Sequence, residues 1–234
     1  MGLYDRDYAR GNAADYSAVH RSETQIVSFV KETYKLFAAS MLAGAVGAYV
    51  GIPLAASIQG AFLPLVILEF ALMFALFFVK NKPGINLLVM FAFTFMTGIT
   101  TAPLLAYTLN MAGGAAVVGN AFAMTSFIFG GMSFFAIKTT KDFTGFGKPL
   151  MIALIVIVVG SLINAFLLHN PMLMIMISAA IVVLFTFMIV YDTQNIIRGA
   201  YSTPIEGAVA LYLDFLNLFV ALLQLFGIFG GNED

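Results

Sequence analysis

The sequence has no cysteine and no tryptophan, only two histidines, and charged side chains at just 10% of its 234 positions. Without cysteine there can be no disulfide, thiol nucleophile, zinc–thiolate site or iron–sulfur cluster. His20 and His169 are too few for a histidine cage around a metal. Soluble domains carry about 25% charged residues because their surfaces face water. With 61% hydrophobic residues and a mean hydropathy of +0.97, this chain cannot clothe a water-facing globule of its size. A lipid solvent removes that requirement. The formal net charge of −1 offers no basic surface for a nucleic-acid partner.

Residues 1–30 are polar and of mixed charge, and read as a short, partly disordered cytoplasmic tail. They contain no short apolar run with a small-residue cleavage site, so no signal peptide is expected. Gly2 lacks the following Ser or Thr of a myristoylation site.

A spanning helix needs about 20 apolar residues, because the hydrocarbon core is about 30 Å thick and each helical residue rises about 1.5 Å. Seven stretches qualify: 36–57, 61–79, 85–109, 115–137, 149–169, 171–191 and 208–229. The apolar runs are too long, and alternate too little, for barrel strands. The expected fold is all-α, one seven-helix transmembrane bundle over residues 31–230.

All 11 basic residues fall on one side of that topology. Arg6, Arg10, Arg21, Lys31 and Lys35 precede the first span. Lys80 and Lys82 lie between spans two and three, Lys138, Lys141 and Lys148 between four and five, and Arg198 between six and seven. The intervening loops and the Asn232-Glu233-Asp234 end have none. The positive-inside rule then places the N-terminus in the cytoplasm and the C-terminus outside. With tryptophan absent, an interfacial belt would fall to tyrosines such as Tyr107, Tyr191, Tyr201 and Tyr212.

An ionisable group within a span is costly and points to function. Glu69 lies in span two, Asp192 ends span six, and Asp214 lies in span seven, about 9 Å from its start. Asp142 and Glu206 fall in the basic loops. Spans six and seven share one loop, so an antiparallel pair would bring Asp192 and Asp214 face to face. Each is followed three residues on by an amide, Asn195 and Asn217, on the same helix face. Gln224 extends that stripe, which makes the seventh helix polar on one side and central in the bundle. Glu69 and Lys80 share a face of span two, and Lys80 comes level with Asp192, where an ion pair is geometrically feasible. The plainer alternatives stay open: Glu69 as an internal hydrogen-bond acceptor, Lys80 reaching to the headgroups.

Two close carboxylates share a proton and titrate as a pair. When both are ionised they attract a hard cation such as Ca²⁺, to which Asn195, Asn217 and backbone carbonyls could add oxygens. Proton-gated cation passage is one reading. Intramembrane aspartyl proteolysis is a second: Tyr191-Asp192 matches its first motif, but Leu211-Tyr212-Leu213-Asp214 stands where Gly-x-Gly-Asp is needed, and no Pro-Ala-Leu follows. No enzymatic activity and no cofactor are expected. A regulator that binds another membrane protein is the third reading. Small residues in Leu42–Gly51 and Gly113–Gly119 would let helices approach closely.

The stretches Leu63–Leu76 (LPLVILEFALMFAL), Thr97–Pro103 (TGITTAP), Tyr191–Ile196 (YDTQNI) and Leu211–Gly227 (LYLDFLNLFVALLQLFG) resemble the Bax inhibitor-1 family, also called the transmembrane Bax inhibitor motif family. The small size and lack of cysteine are similar to its bacterial branch, which implies an inner-membrane location. The resemblance implies a seven-helix bundle and a pH-sensitive calcium leak governed by an aspartate pair at Asp192 and Asp214. It also implies a basic latch at the position of Lys80, where relatives often carry arginine with its bidentate fork. Some bacterial relatives are linked to a membrane-anchored ATP-dependent protease, which keeps the regulator reading in play. The cell-death role of the eukaryotic members does not carry over.

Overall fold

In the computed structural model, residues 23–230 are described, and among them there are helices and turns but no strand. The protein is an all-α, multi-pass membrane protein with seven helices long and apolar enough to span a bilayer. Residues 1–22, most of the expected tail, lie outside the described residues.

The first span differs most from its expected limits. Its helix starts at Glu23 and runs to Gly51, so Lys31 and Lys35 ride on it, with Lys35 3.7 Å from Glu32 one turn earlier. Pro53 follows within a short 3₁₀ turn, Ile52–Leu54, because its ring carries no N–H and forbids a straight continuation. A short helix, Ala55–Gly60, completes the span. Spans two to four are Phe62–Val79, Ile85–Leu109 and Gly114–Lys138. Span five is Gly147–Ile163, ending in a single π turn, Asn164–Leu168. Span six is Pro171–Ile197 and span seven Pro204–Gly230. The turn between five and six closes on itself. Asn164 donates its amide to the Asn170 carbonyl at 3.1 Å and accepts the Asn170 N–H at 2.9 Å. Asn170 in turn caps span six by accepting the N–H groups of Met172 and Leu173.

The chain divides into two compact units. The first takes residues 27–115 and 201–212, that is, spans one to three and the opening turns of span seven. Its tightest packing joins spans one and three. A Cβ at Gly98 would run into the backbone of Gly44 and Ala48, one at Gly47 into the backbone of Phe95, and one at Gly51 into Ala102. The small-residue run in Leu42–Gly51 therefore does permit close backbone approach, as its composition implied. Tyr212 fills the same seam. Its hydroxyl donates to the Thr94 carbonyl at 3.1 Å and makes a short hydrogen bond with Thr97.

A Gly98→Ala variant should lose about 2 kcal/mol, because the added methyl meets immovable backbone. Gly160→Ala, with nothing within 4 Å of the new methyl, should match or exceed the parent protein. Thermal unfolding in detergent reads the contrast, and equal melting temperatures for the two variants would refute it.

Among the described residues, the second unit takes 23–26, 116–200 and 213–230, that is, the start of the first helix, spans four to six and the remainder of span seven. Phe215 packs edge-on against Phe122 and Phe129, with centroids 5.7 and 5.6 Å apart. Ser178 donates to the Gln224 side chain at 2.8 Å, which accounts for the polar stripe on span seven. Of all seven spans, the seventh has the largest buried share, 44% of its apolar window, against 33% for the next. The polar helix is the buried one.

Candidate functional site

Span six continues past its expected end at residue 191 because the polar residues that follow find partners. Gln194 is fully buried with both ends of its amide engaged: it donates to the Lys141 carbonyl at 2.9 Å and accepts the Phe143 N–H at 2.8 Å. Thr193 donates to Ser133 of span four at 3.4 Å. The helix stops two turns later in a Schellman motif. Gly199 takes the left-handed conformation at φ +68°, and the N–H groups of Gly199 and Ala200 turn back onto the carbonyls of Ile196 and Asn195. Asp192 is therefore a mid-helix, buried residue rather than an interfacial one.

Asp192 and Asp214 are 3% and 1% exposed, so neither carboxyl reaches bulk water, and the two side chains are close enough to act directly on each other. Asp214 Oδ2 is buried. Phe215, wedged between Phe122 and Phe129, lies beside it.

The other expected members distribute differently. Asn195 is buried on the same helix as Asp192. Asn217 donates its amide N–H to the Leu213 carbonyl of its own helix at 2.7 Å. Glu69 is half-buried and accepts from Thr100 at 2.6 Å, the internal hydrogen bond that was one of its two readings. The ion pair of Lys80 is with Glu206, at 2.5 Å, where Asp192 had been expected. Glu206 is not a loop residue. It is the third residue of the span-seven helix and forms a capping box with Thr203: its Oε2 accepts the Thr203 N–H at 3.1 Å, and Thr203 Oγ1 accepts the Glu206 N–H at 3.4 Å. Ser202 adds its N–H at 2.9 Å and a short hydroxyl bond. Pro204 occupies the first helical position, where a missing N–H costs nothing. The signal for this partner was present in Thr203-Pro204-Ile205-Glu206, a helix-start pattern.

A second ion pair closes the connection between spans four and five. Arg198 lies 2.9 Å from Asp142 and donates to Thr144 at 3.0 Å. Burial alone would raise the Asp142 carboxyl. The hydroxyl and N–H of Thr144 and the Arg198 guanidinium outweigh it and hold Asp142 below the usual carboxylate range. The contact is half-exposed and contributes at most about 1 kcal/mol. That contribution is present above the ordinary carboxylate value and is lost as pH falls through the lowered one. Among the described residues, no three His, Cys, Asp or Glu side chains gather as a metal site.

Seven helices long and apolar enough to cross a bilayer, with two buried aspartates on the sixth and seventh, define a multi-pass membrane protein. The chain belongs to the Bax inhibitor-1 family: the model described as Inhibitor of apoptosis-promoting Bax1 matches residues 26–231. A Campylobacter jejuni protein is 50% identical over 99% of this chain and all of its own length. A Vibrio cholerae membrane protein is 31% identical over 87% of this chain and 91% of its own. The Escherichia coli inner membrane protein YbhL is 34% identical over 63% of this chain and 65% of its own.

Proposed function

We propose that the protein is a cation leak pathway of a bacterial inner membrane, with Ca²⁺ as the permeant ion and the Asp192–Asp214 pair as its pH-sensing gate. The observation that carries this reading is the burial of two neighbouring aspartates, 3% and 1% exposed, on the sixth and seventh helices. While a proton is shared, the pair holds spans six and seven together at that level. When the proton leaves, two like charges face each other in a medium of low dielectric and repel strongly. Repulsion is relieved by separation of the helices or by a cation between the oxygens. A divalent cation suits a site of two carboxylates, with further oxygens from backbone, Asn195 or water. The Thr203–Glu206 cap and Lys80 would brace the start of the same helix.

The test is calcium flux into liposomes that contain only the purified protein, followed with an internal dye across mildly acid to mildly basic pH. A flux that changes with pH is expected. A protein that is folded and correctly inserted, yet passes no cation at any pH, would leave the alternative standing: a regulator that docks on another membrane protein, such as a membrane-anchored ATP-dependent protease.

The orientation belongs to this proposal, with the N-terminus in the cytoplasm and the C-terminus outside. It rests on the one-sided distribution of the basic residues. Reporter fusions at the two ends should give opposite signals, and a cytoplasmic signal from the C-terminus would remove it.

A further inference from the structure

The segment between spans four and five is fastened to a single face of span six. Tyr191, Gln194 and Arg198 are spaced three and four residues apart, so they line one side of the helix. Each grips a different point of the segment. Tyr191 packs its hydroxyl on Gly147, where an added Cβ would lie 2.6 Å from the oxygen. Gln194 holds the backbone of Lys141 and Phe143. Arg198 holds Asp142 and Thr144. Asp142 in turn folds the segment by accepting the Thr144 N–H and hydroxyl, at 2.8 and 2.7 Å.

Three unrelated contacts, a steric one, a neutral hydrogen-bonded one and an ionic one, thus fix the rotation of the same two helical turns. Asp192 sits within those turns, one residue after Tyr191 and two before Gln194. A helix turns about 100° per residue, so rotation at this end swings Asp192 directly toward or away from Asp214. Gln194 is the strongest of the three grips. A glutamine with no exposure is costly unless fully bonded, and here both ends of its amide bind the backbone of another segment.

We propose that residues 139–147 form a strap that holds the Asp192 turn in register with Asp214, with Gln194 as the positioning residue. Gln194 touches neither carboxylate in this role and carries no ion. It sets where Asp192 points.

The inference rests on reading Asp192 and Asp214 as the working pair, and its test reads their geometry without measuring flux. The natural chain has no cysteine, so Asp192→Cys with Asp214→Cys supplies the only two thiols. Dibromobimane becomes fluorescent when it bridges two thiols a few ångströms apart, and its bridging rate in purified protein reports their proximity. Gln194→Met keeps the length of the side chain and removes both hydrogen bonds. It should lower the bridging rate about tenfold, the scale of one lost buried hydrogen bond.

Gly147→Ala disturbs the same strap by a different route, pushing on the Tyr191 hydroxyl, and should lower the rate as well. Adding Tyr191→Phe to Gly147→Ala removes the oxygen and should restore much of it, a rescue that general destabilisation would not give. An unchanged rate in both Gln194→Met and Gly147→Ala would overturn the strap. If one variant fails to assemble, the other decides. A protein that conducts no calcium but still shows these losses would retain the strap and lose the leak.

Discussion

Asp192→Asn and Asp214→Asn should each yield a protein that loses most of the pH response of its calcium leak, and the double variant should lose little more of that response. The argument is one of proton count. Asparagine has nearly the shape of aspartic acid, carries no titrating group, and can still donate the hydrogen bond that the shared proton supplies. An Asn–Asp pair therefore reproduces the singly protonated state at every pH in the physiological range. Its flux should stay at the level that state has in the parent protein. Residues that act as one unit do not add, so the ratio of basic to acid flux should fall to roughly one in each single variant and stay there in the double. The measurement is the same liposome assay, with circular dichroism to establish that each variant is folded. A pH profile unaltered in both single variants would sink the paired gate and bring the regulator reading forward.

The largest expected effect on stability lies at Glu206. Glu206→Ala removes the acceptor of the Thr203 N–H, the Ser202 N–H and the Ser202 hydroxyl, and strands the Lys80 ammonium in a half-buried position. Loss of a helix cap costs about 1 kcal/mol, and loss of a charged hydrogen bond about 1.5–3 kcal/mol. Because the losses overlap, a total of about 2–3 kcal/mol is expected, read as a lower melting temperature in detergent. Lys80→Ala removes only one of the carboxylate's partners and should cost about 1 kcal/mol. The double variant should then cost less than the two singles added together, since alanine at 206 no longer strands a charge. Strict additivity would show that the ion pair does no work. The two side chains are 27% and 19% exposed, so screening by salt weakens the pair without abolishing it.

The seven spans were legible because hydrocarbon imposes one simple demand, a long run of apolar residues, and this chain meets it seven times with short breaks. The ends of the helices were less legible. Apolar length underestimates a helix whose last turns are polar but internally bonded. Gln194 and Asn195 extend span six, and Thr203 and Glu206 begin span seven early.

The aspartate pair could be read from Asp214, which has apolar neighbours on both sides in sequence and no route to water. Its partner followed from the short connection between the two helices. Lys80 was weighed against Asp192 because depth along a helix was the only coordinate available, and its partner is Glu206. Depth does not distinguish Asp192 from Glu206, whereas a capping box at Thr203–Glu206 draws its acid toward the helix start. A spacing of three places Asn217 on the face of Asp214, but it does not tell that its N–H donates to the Leu213 carbonyl. The strap was invisible for a related reason. Gln194 was seen as one letter of a motif, and its partners are backbone atoms of Lys141 and Phe143, which no pattern of side chains encodes.

The turn between spans five and six bears on how the protein is made. Asn164 and Asn170 exchange two hydrogen bonds, and Asn170 covers the first free N–H groups of the next helix. A reverse turn normally presents several bare amides and carbonyls, and each costs several kcal/mol to carry through lipid. Here most of them are covered before any other part of the chain is needed, and the turn bears no lysine or arginine. In the orientation proposed above, spans five and six could therefore leave the translocon as a ready-made hairpin, with Asn164 and Asn170 keeping the turn's polar groups covered as it crosses the bilayer.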